Sequence, residues 1–321
     1  MNTKLLTVKV TKKTIEAEGI VSFELRSPSG DDLPVFTAGS HIDVHIAGKY
    51  IRQYSLCNAP DERHRYLLGV LREPGGTGGS AAMHDVISEG DLVQVSPPRN
   101  SFHLNDNSDF SLLLAGGIGV TPLMSMAQHL ATLGRAFTMH YCARSPERCA
   151  FYKELNESEF RNQIIFHFDD GPEGQKLDLV NLLSTRPEGA NLYVCGPKGF
   201  MEAVISNGEK AWPADTIHRE YFSADPQVGH DNDEGFQVKI DSTGEIYDIP
   251  EDKTVVDALF EYGIKIPVSC EQGICGTCIT GVLEGIPDHR DGIFSDEEHS
   301  ANDQMTPCCS RSKSKLLVLD L

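Results

Sequence analysis

Four cysteines constrain this chain more than any other feature. Cys270, Cys275, Cys278 and Cys308 stand in the spacing C-x4-C-x2-C-x29-C, and the first three lie in SCEQGICGTC. Gly273 and Gly276, between those thiols, let the backbone fold tightly around something small, where bulky side chains would block the approach. The spacing is that of plant-type [2Fe-2S] sites, in which thiolates converge on two irons and backbone N–H groups offset the cluster's negative charge. The bland alternatives are a structural zinc site or unrelated buried thiols, but zinc ligands usually come in C-x2-C pairs. Cys309 competes with Cys308 for the fourth position. Cys308 keeps the spacing and follows Pro307, so Cys309 reads as a small buried residue at the start of the last strand.

At 321 residues the chain exceeds one typical domain, and its texture changes along its length. From Thr7 to Ser96, short alternating segments (VSFEL, HIDVHI, YLLGVL, DLVQV) are separated by Gly, Pro and Asp, as antiparallel strands of a small barrel or sandwich are. Beyond Phe110, apolar strand candidates SLLLAGG, FTMHYC, IIFHF and NLYVCG alternate with helical segments near Leu123–Leu133, Leu179–Leu183 and Gly199–Ile205. That alternation argues for a parallel sheet with crossover helices. SADPQVGHDNDEG has almost nothing to bury and reads as an exposed linker, and Phe236–Leu321 is a compact unit holding five of the nine cysteines. The expected division is a β domain over 1–103, an α/β domain over 104–225, a linker over 226–235 and a terminal domain over 236–321.

Two groups of residues suit phosphorylated ligands. In IRQYSLCN, strand alternation places Arg52, Tyr54 and Asn58 on one face with Ser55 at the change of direction. A guanidinium binds phosphate in fork geometry and a phenol packs against a ring, although Arg and Tyr on a strand are also common on any exposed face. The run GGTGGSAAMH (Gly75–His84), with Gly78, Gly79 and Ser80 opening a helix, is the second phosphate-compatible element, its alternative being a loose hairpin loop. Further on, LLLAGGIGVTPLMSM reads as strand, glycine turn (Gly116, Gly117, Gly119) and helix, with Thr121 as N-cap and Pro122 at the first helical position. Its spacing is not G-x-G-x-x-G, yet a positive helix end beside a glycine turn still invites a nucleotide. Arg144 and Ser145 in HYCARSPE, and Cys195, Gly196 and Pro197 in LYVCGPKGF, fall at carboxyl ends of sheet strands, where open α/β sheets bind ligands. A solvated loop charge is the plain alternative for Arg144, and a small buried residue for Cys195.

RQYS, GGTGGS, GGIGVTP, CARSPE, CGP and the terminal cysteines, in that order, resemble the phthalate dioxygenase reductase family over essentially the whole chain. The resemblance implies a flavin-binding β-barrel, a ferredoxin-NADP reductase-like parallel α/β nucleotide domain and a plant-type ferredoxin of β-grasp fold. It implies FMN as the flavin, held by Arg52, Tyr54 and Ser55, with its phosphate on Gly78, Gly79 and Ser80, Thr121 on the isoalloxazine side of the nucleotide cleft, and Phe222 near the flavin. It further implies that Gly116, Gly117, Gly119, Cys195, Gly196 and Pro197 line the nicotinamide path and that Arg144 and Ser145 lie near the adenosine. NADH is the expected donor. NADPH stays open, because Ser145 stands where some NADH-using relatives have an acidic residue.

A nicotinamide gives up two electrons as a hydride and a [2Fe-2S] cluster accepts one, so a flavin between them bridges the count and no acid–base residue is assigned. The implied acceptor is a terminal Rieske-type oxygenase. A quinone, a non-Rieske monooxygenase, or a metal-stapled binding module without catalysis are the alternatives. With 28 Lys+Arg against 47 Asp+Glu the formal charge is −19, which excludes a non-specific nucleic-acid binder and suits a basic protein partner. Acidic residues between the third and fourth cysteine ligands, Asp291, Asp296 and Glu297 among them, are expected to present one face near the cluster. No apolar run approaches the ~20 residues that span a bilayer and no cleavage-site pattern opens the chain, so a cytoplasmic protein is expected.

Overall fold

The computed structural model describes residues 5–73, 76, 78–222, 233–268 and 270–321, which form two compact units, Met1–Glu220 and Tyr221–Leu321. Gly75 and Thr77 of the glycine run, and residues 226–232 of the expected linker, lie outside the described residues. Among the described residues no helix is long and apolar enough to cross a membrane.

The first unit begins with β1 (Leu6–Ala17), β2 (Ile20–Arg26), β3 (Ser40–Ile46), β4 (Tyr50–Ser55) and β5 (Tyr66–Leu71). The short helix α1 (Gly79–Asp85) and strands β6 (Leu92–Val95) and β7 (Arg99–Asn100) follow. These strands make one antiparallel sheet in the order β4-β3-β6-β1-β2-β5, with β7 beside β3. The chain just past β4 returns to β5 through the Leu56–Leu68 bridge and the Cys57 N–H donated to Leu67 O at 2.8 Å, which closes the sheet into a barrel. Alternation drives this: Val8, Val10, Phe23, Leu25, Ile42, Val44 and Ile46 turn inward together and are buried.

The same unit continues into β8 (Phe110–Gly116), α2 (Val120–Thr132), β9 (Phe137–Ala143), α3 (Tyr152–Glu157), β10 (Ile164–Phe168), α4 (Leu179–Leu183), β11 (Ala190–Cys195), α5 (Lys198–Gly208) and β12 (Ile217–Glu220). The strands are all parallel, in the order β10-β9-β8-β11-β12. Buried on both faces, β8 and β11 read as continuous apolar runs, as central parallel strands must. The barrel and this sheet pack directly. Ser125 Oγ donates to Asn58 O at 2.9 Å and Gln128 Nε2 to Cys57 O at 2.7 Å, both from α2.

The second unit carries β13 (Phe236–Ile240), β14 (Ile246–Ile249), α6 (Val255–Glu261), β15 (Thr280–Glu284), β16 (Pro287–Asp288), α7 (Asp296–Ala301), β17 (Gln304–Met305), β18 (Arg311–Ser312) and β19 (Leu316–Leu319). Its mixed sheet runs β14-β13-β19-β15-β17, with β13 and β19 parallel, and β16 pairs with β18 separately. Thr254 caps α6 by accepting the Asp257 N–H at 3.0 Å, and Val255, Ala258 and Leu259 are buried in the unit's core. Arg311 is almost fully buried, yet it donates to the carbonyls of Lys253, Glu234 and Pro250 and faces Asp233, so its charge is matched. Cys309 sits in the turn after β17, its N–H donated to Thr306 O, and not at the start of the last strand, which begins only at Leu316.

Candidate functional site

On the barrel, β4 positions Arg52, Tyr54 and Ser55 beside the start of α1. The approach is close: a Cβ on Gly79 would lie 2.6 Å from Arg52 Nε, so Arg52 would have to move, while the +93° φ of Gly78, beside Tyr50 Oη, is one that glycine adopts freely. Arg52 also donates to Ile51 O at 2.7 Å and stacks on Tyr50 with 5.6 Å to the ring centroid. Tyr54 Oη is buried and has no hydrogen-bond partner among the described residues, an orphaned group open to a partner from outside the chain. Burial also raises the Tyr54 phenol well above its ordinary value, so it stays protonated. Ser80 Oγ accepts the Glu73 N–H at 3.1 Å, so the hydroxyl is tied to the incoming loop. Asn58 does not share this face; its side chain donates to Arg65 O and accepts the Leu67 N–H, pinning the barrel closure.

The second group gathers where β8, β11 and β12 end. Gly119 lies so close to β11 that a Cβ there would stand 2.2 Å from Cys195 O, and one on Gly116 would meet Pro197 and Phe200 at 2.9 Å. A Cβ on Gly196 would in turn stand 2.8 Å from Phe200 and 3.0 Å from Gly116 Cα, so the three glycines let the ends of β8 and β11 and the start of α2 pack backbone against backbone under the Phe200 ring. Gly117, with φ +53°, turns the chain into a short 3-10 segment before α2. The N-cap of α2 is Gly119 and not Thr121; the glycine packing against Cys195 starts the helix early and puts Thr121 inside its first turn. There Thr121 donates its hydroxyl to Ile118 O at 3.0 Å and turns its methyl toward Gly69 of β5. Arg144 is exposed just past β9, where its carbonyl accepts the Asp170 N–H from the segment after β10. Ser145 holds the Glu147 carboxylate. Phe222 falls in the second unit.

Parallel pairing brings in a residue that motif reading misses. Glu220, the last residue of β12, stands in register with Cys195, and its Oε2 accepts the Ser55 hydroxyl at 3.4 Å. Burial lifts its carboxyl to about 8, the Ser55 hydrogen bond working the other way. Burial likewise keeps the Cys195 thiol protonated. Nothing in EYF marks the glutamate as buried; only the register of two strands far apart in sequence does.

In the second unit the thiols come together in pairs. Cys270 and Cys275 share a hydrogen bond, as do Cys278 and Cys308, and within each pair the thiolate form of one, Cys275 and Cys278 respectively, is favoured by the other's S–H. Gln272 N–H points to Cys270 Sγ at 3.3 Å and Thr277 N–H to Cys275 Sγ at 3.5 Å. Positive φ at Gly273 (+71°) and Gly276 (+70°) bends the loop around the sulfurs. Four thiols in two pairs with backbone N–H groups aimed at sulfur are the donor set a [2Fe-2S] cluster needs. Cys309 also borders Cys308, but its sulfur lies 3.2 Å from Thr306 Oγ1 and packs where a Cβ on Gly273 would be. Contrary to the expected acidic face, the Asp291 side chain is fully buried, and Glu297 stays exposed.

Residues 113–206 match the oxidoreductase NAD-binding domain and residues 238–313 the 2Fe-2S iron-sulfur cluster binding domain. The chain is 49% identical to the vanillate O-demethylase oxidoreductase of Pseudomonas sp. (strain HR199 / DSM 7063), covering 99% of this chain and 100% of the relative. It is 42% identical to the tert-butanol monooxygenase / tert-amyl alcohol desaturase reductase subunit of Aquincola tertiaricarbonis, over 98% and 96%. Among solved structures, phthalate dioxygenase reductase, described as a modular structure for electron transfer from pyridine nucleotides to [2Fe-2S], superposes with a TM-score of 0.82 at 38% identity, covering 99% of this chain and 98% of that one. With a barrel, a parallel nucleotide-binding sheet and a four-cysteine loop all in the order those proteins have them, this chain belongs to the phthalate dioxygenase reductase family of flavin iron-sulfur oxidoreductases.

Proposed function

We propose that this protein takes electrons from NADH, passes them through FMN to a [2Fe-2S] cluster, and delivers them to a Rieske-type oxygenase. The observation that carries the reading is the full-length likeness to oxygenase reductases, joined to a chain that keeps both a phosphate-compatible barrel face and a paired set of four thiols. FMN and the cluster supply the conversion of a two-electron donor into single-electron delivery. Arg52 holds the flavin phosphate beside Gly78 and Gly79, and Tyr54 offers its unpaired hydroxyl to the flavin. Gly116, Gly119 and Gly196 bring the carboxyl ends of β8 and β11 and the start of α2 tightly together, and the nicotinamide is received at that junction, beside Cys195 and Pro197. Glu220 keeps its proton at neutral pH, so no buried negative charge opposes the approach of a reduced nicotinamide. Cys270, Cys275, Cys278 and Cys308 ligate the cluster, and the working division is 1–103 for flavin, 104–225 for nucleotide and 236–321 for iron and sulfur.

The test is anaerobic addition of NADH to the purified protein. Stepwise bleaching of the flavin and cluster absorbance is expected, with substrate-dependent NADH consumption once an oxygenase is added. Protein that carries the cluster but is not reduced by NADH or NADPH would refute the reading.

A further inference from the structure

In the second unit, the extended chain after β16 alternates its side chains, so that Arg290 turns to Asp233 and Asp288 while His289 and Asp291 turn the other way. There they meet His299 from α7, whose start is fixed by a capping box between Ser295 and Glu298. His299 Nε2 lies 3.2 Å from Asp291 Oδ2, His289 Nδ1 lies 3.7 Å from Asp291 Oδ1, and one ligand atom from each of the three falls within 4.8 Å of the others. We propose that His289, Asp291 and His299 form a second metal site, packed against the cysteine loop at Gly273 but using none of its thiols, that takes a divalent transition ion of the zinc class.

The observation that distinguishes this cluster from an ordinary His–Asp pair is His289. Its side chain is only 7% exposed, its ring stacks on His299 with 4.5 Å between centroids, and neither ring nitrogen has a hydrogen-bond partner among the described residues. A pair between His299 and Asp291 accounts for those two residues and leaves a buried imidazole unsatisfied, whereas an ion between the three uses one nitrogen of each ring and a carboxylate oxygen. Asp291 is already oriented as a ligand: Phe294 N–H donates to Oδ2 at 3.1 Å, and the Thr306 and Ser310 hydroxyls to Oδ1 at 3.4 Å. The Phe294 ring stands edge-on to both imidazoles, at 6.2 and 6.0 Å, and gives the site an apolar wall.

The donor set decides the class of ion. Two imidazoles and one carboxylate suit zinc and its neighbours, which bind nitrogen and oxygen at about 2.0–2.2 Å. Calcium and magnesium are excluded because they take six or more oxygens. Three protein ligands leave a position for water, and His299, at 27% exposure, is the open side of the site. The ion is therefore exchangeable, unlike the irons of a cysteine-held cluster.

The experiment uses the full chain with its cluster in place, treated with a chelator and dialysed against Zn2+. Metal analysis should find one zinc per chain in addition to the cluster's iron, and His299→Ala and His289→Ala should each bind zinc at least tenfold more weakly with iron unchanged. Replacing Zn2+ by Co2+ gives a second reading: a high-spin cobalt EPR signal in the oxidised protein, where the cluster itself is silent, that is lost in His299→Ala. No zinc above the iron content, zinc gained only as iron is lost, or full zinc binding by His299→Ala would each overturn the proposal. His299→Ala leaves the Phe294, Thr306 and Ser310 hydrogen bonds to Asp291 in place, so a folded variant is available even if His289→Ala does not fold.

Discussion

Cys308 and Cys309 are adjacent and equally buried, so exposure does not choose between them. Their partners do: Cys308 shares hydrogen bonds with both Cys278 and Cys309, whereas Cys309 bonds to no thiol but Cys308 and is otherwise held by Thr306 and packed on Gly273. Cys308→Ser should therefore lose the visible and reduced-EPR signals of the cluster, and Cys309→Ser should retain them. The reverse pattern would transfer the ligand to Cys309. Arg52 is a second residue whose role follows from its neighbours, since it fills the space beside Gly79 at the start of α1. A charge-assisted bond to phosphate contributes about 1.5–3 kcal/mol, so Arg52→Ala should hold flavin at least tenfold more weakly in equilibrium dialysis. These residues were legible in the sequence because spacing and glycine runs are local properties. The Glu73 N–H donated to Ser80 Oγ was not, because it depends on how a loop returns, and it leaves the hydroxyl's own proton free for a phosphate.

The strands and helices show the same division between local and distant causes. Alternating and apolar runs mark β2, β3, β5 and β6 and, in the parallel sheet, β8, β9, β10 and β11, since burial on one face or two writes itself into the sequence. The start of α2 is different. Thr121-Pro122 has the signature of a helix start, but Gly119 packs on the Cys195 carbonyl and the helix begins around it. Gly119→Ala puts a methyl group into backbone that cannot yield, and a loss of about 1–3 kcal/mol is expected, read as a lower midpoint in thermal or urea unfolding of the first unit. A variant as stable as the parent would mean that the two segments separate freely. Glu220 likewise acquires its environment from the β11–β12 pairing. Its carboxyl is about 8 when folded and near 4.5 when unfolded, so between those values the folded chain holds the extra proton. Stability then falls as pH rises through that window, by up to about 1.4 kcal/mol per pH unit. In the flavin-free protein, Glu220→Gln should flatten this decline, and an unchanged slope would place the carboxyl in water.

At the scale of the molecule, charge is unevenly placed. From Phe236 to Leu321 there are 7 Lys+Arg against 16 Asp+Glu, so this stretch carries −9 of the chain's −19 before any cluster is counted. The individual residues that form this field are not those the sequence suggests. Asp291 is buried, and Asp288 and Asp233 are tied to Arg290, while Glu297 is exposed. A run of acidic letters between two ligands thus divides into inner residues that hold the loop and outer ones that face solvent. The field itself remains, since a buried charge paired with one arginine cancels only its own share. A transient electron-transfer encounter buries little area and depends on steering, so a negative carrier favours a basic patch on its acceptor. Exposed charges steer only within a Debye length of ~8 Å at physiological salt. The bimolecular rate at which an oxygenase oxidises the reduced protein should therefore fall as ionic strength rises, in stopped-flow mixing with the cluster absorbance as the signal. Replacing Glu297 and Glu298 together by Gln should lower the rate at low salt and make its salt dependence shallower, while the NADH-driven reduction step keeps its rate. A rate that is flat or rises with salt would assign docking to apolar surface and leave the negative charge a solubility device alone.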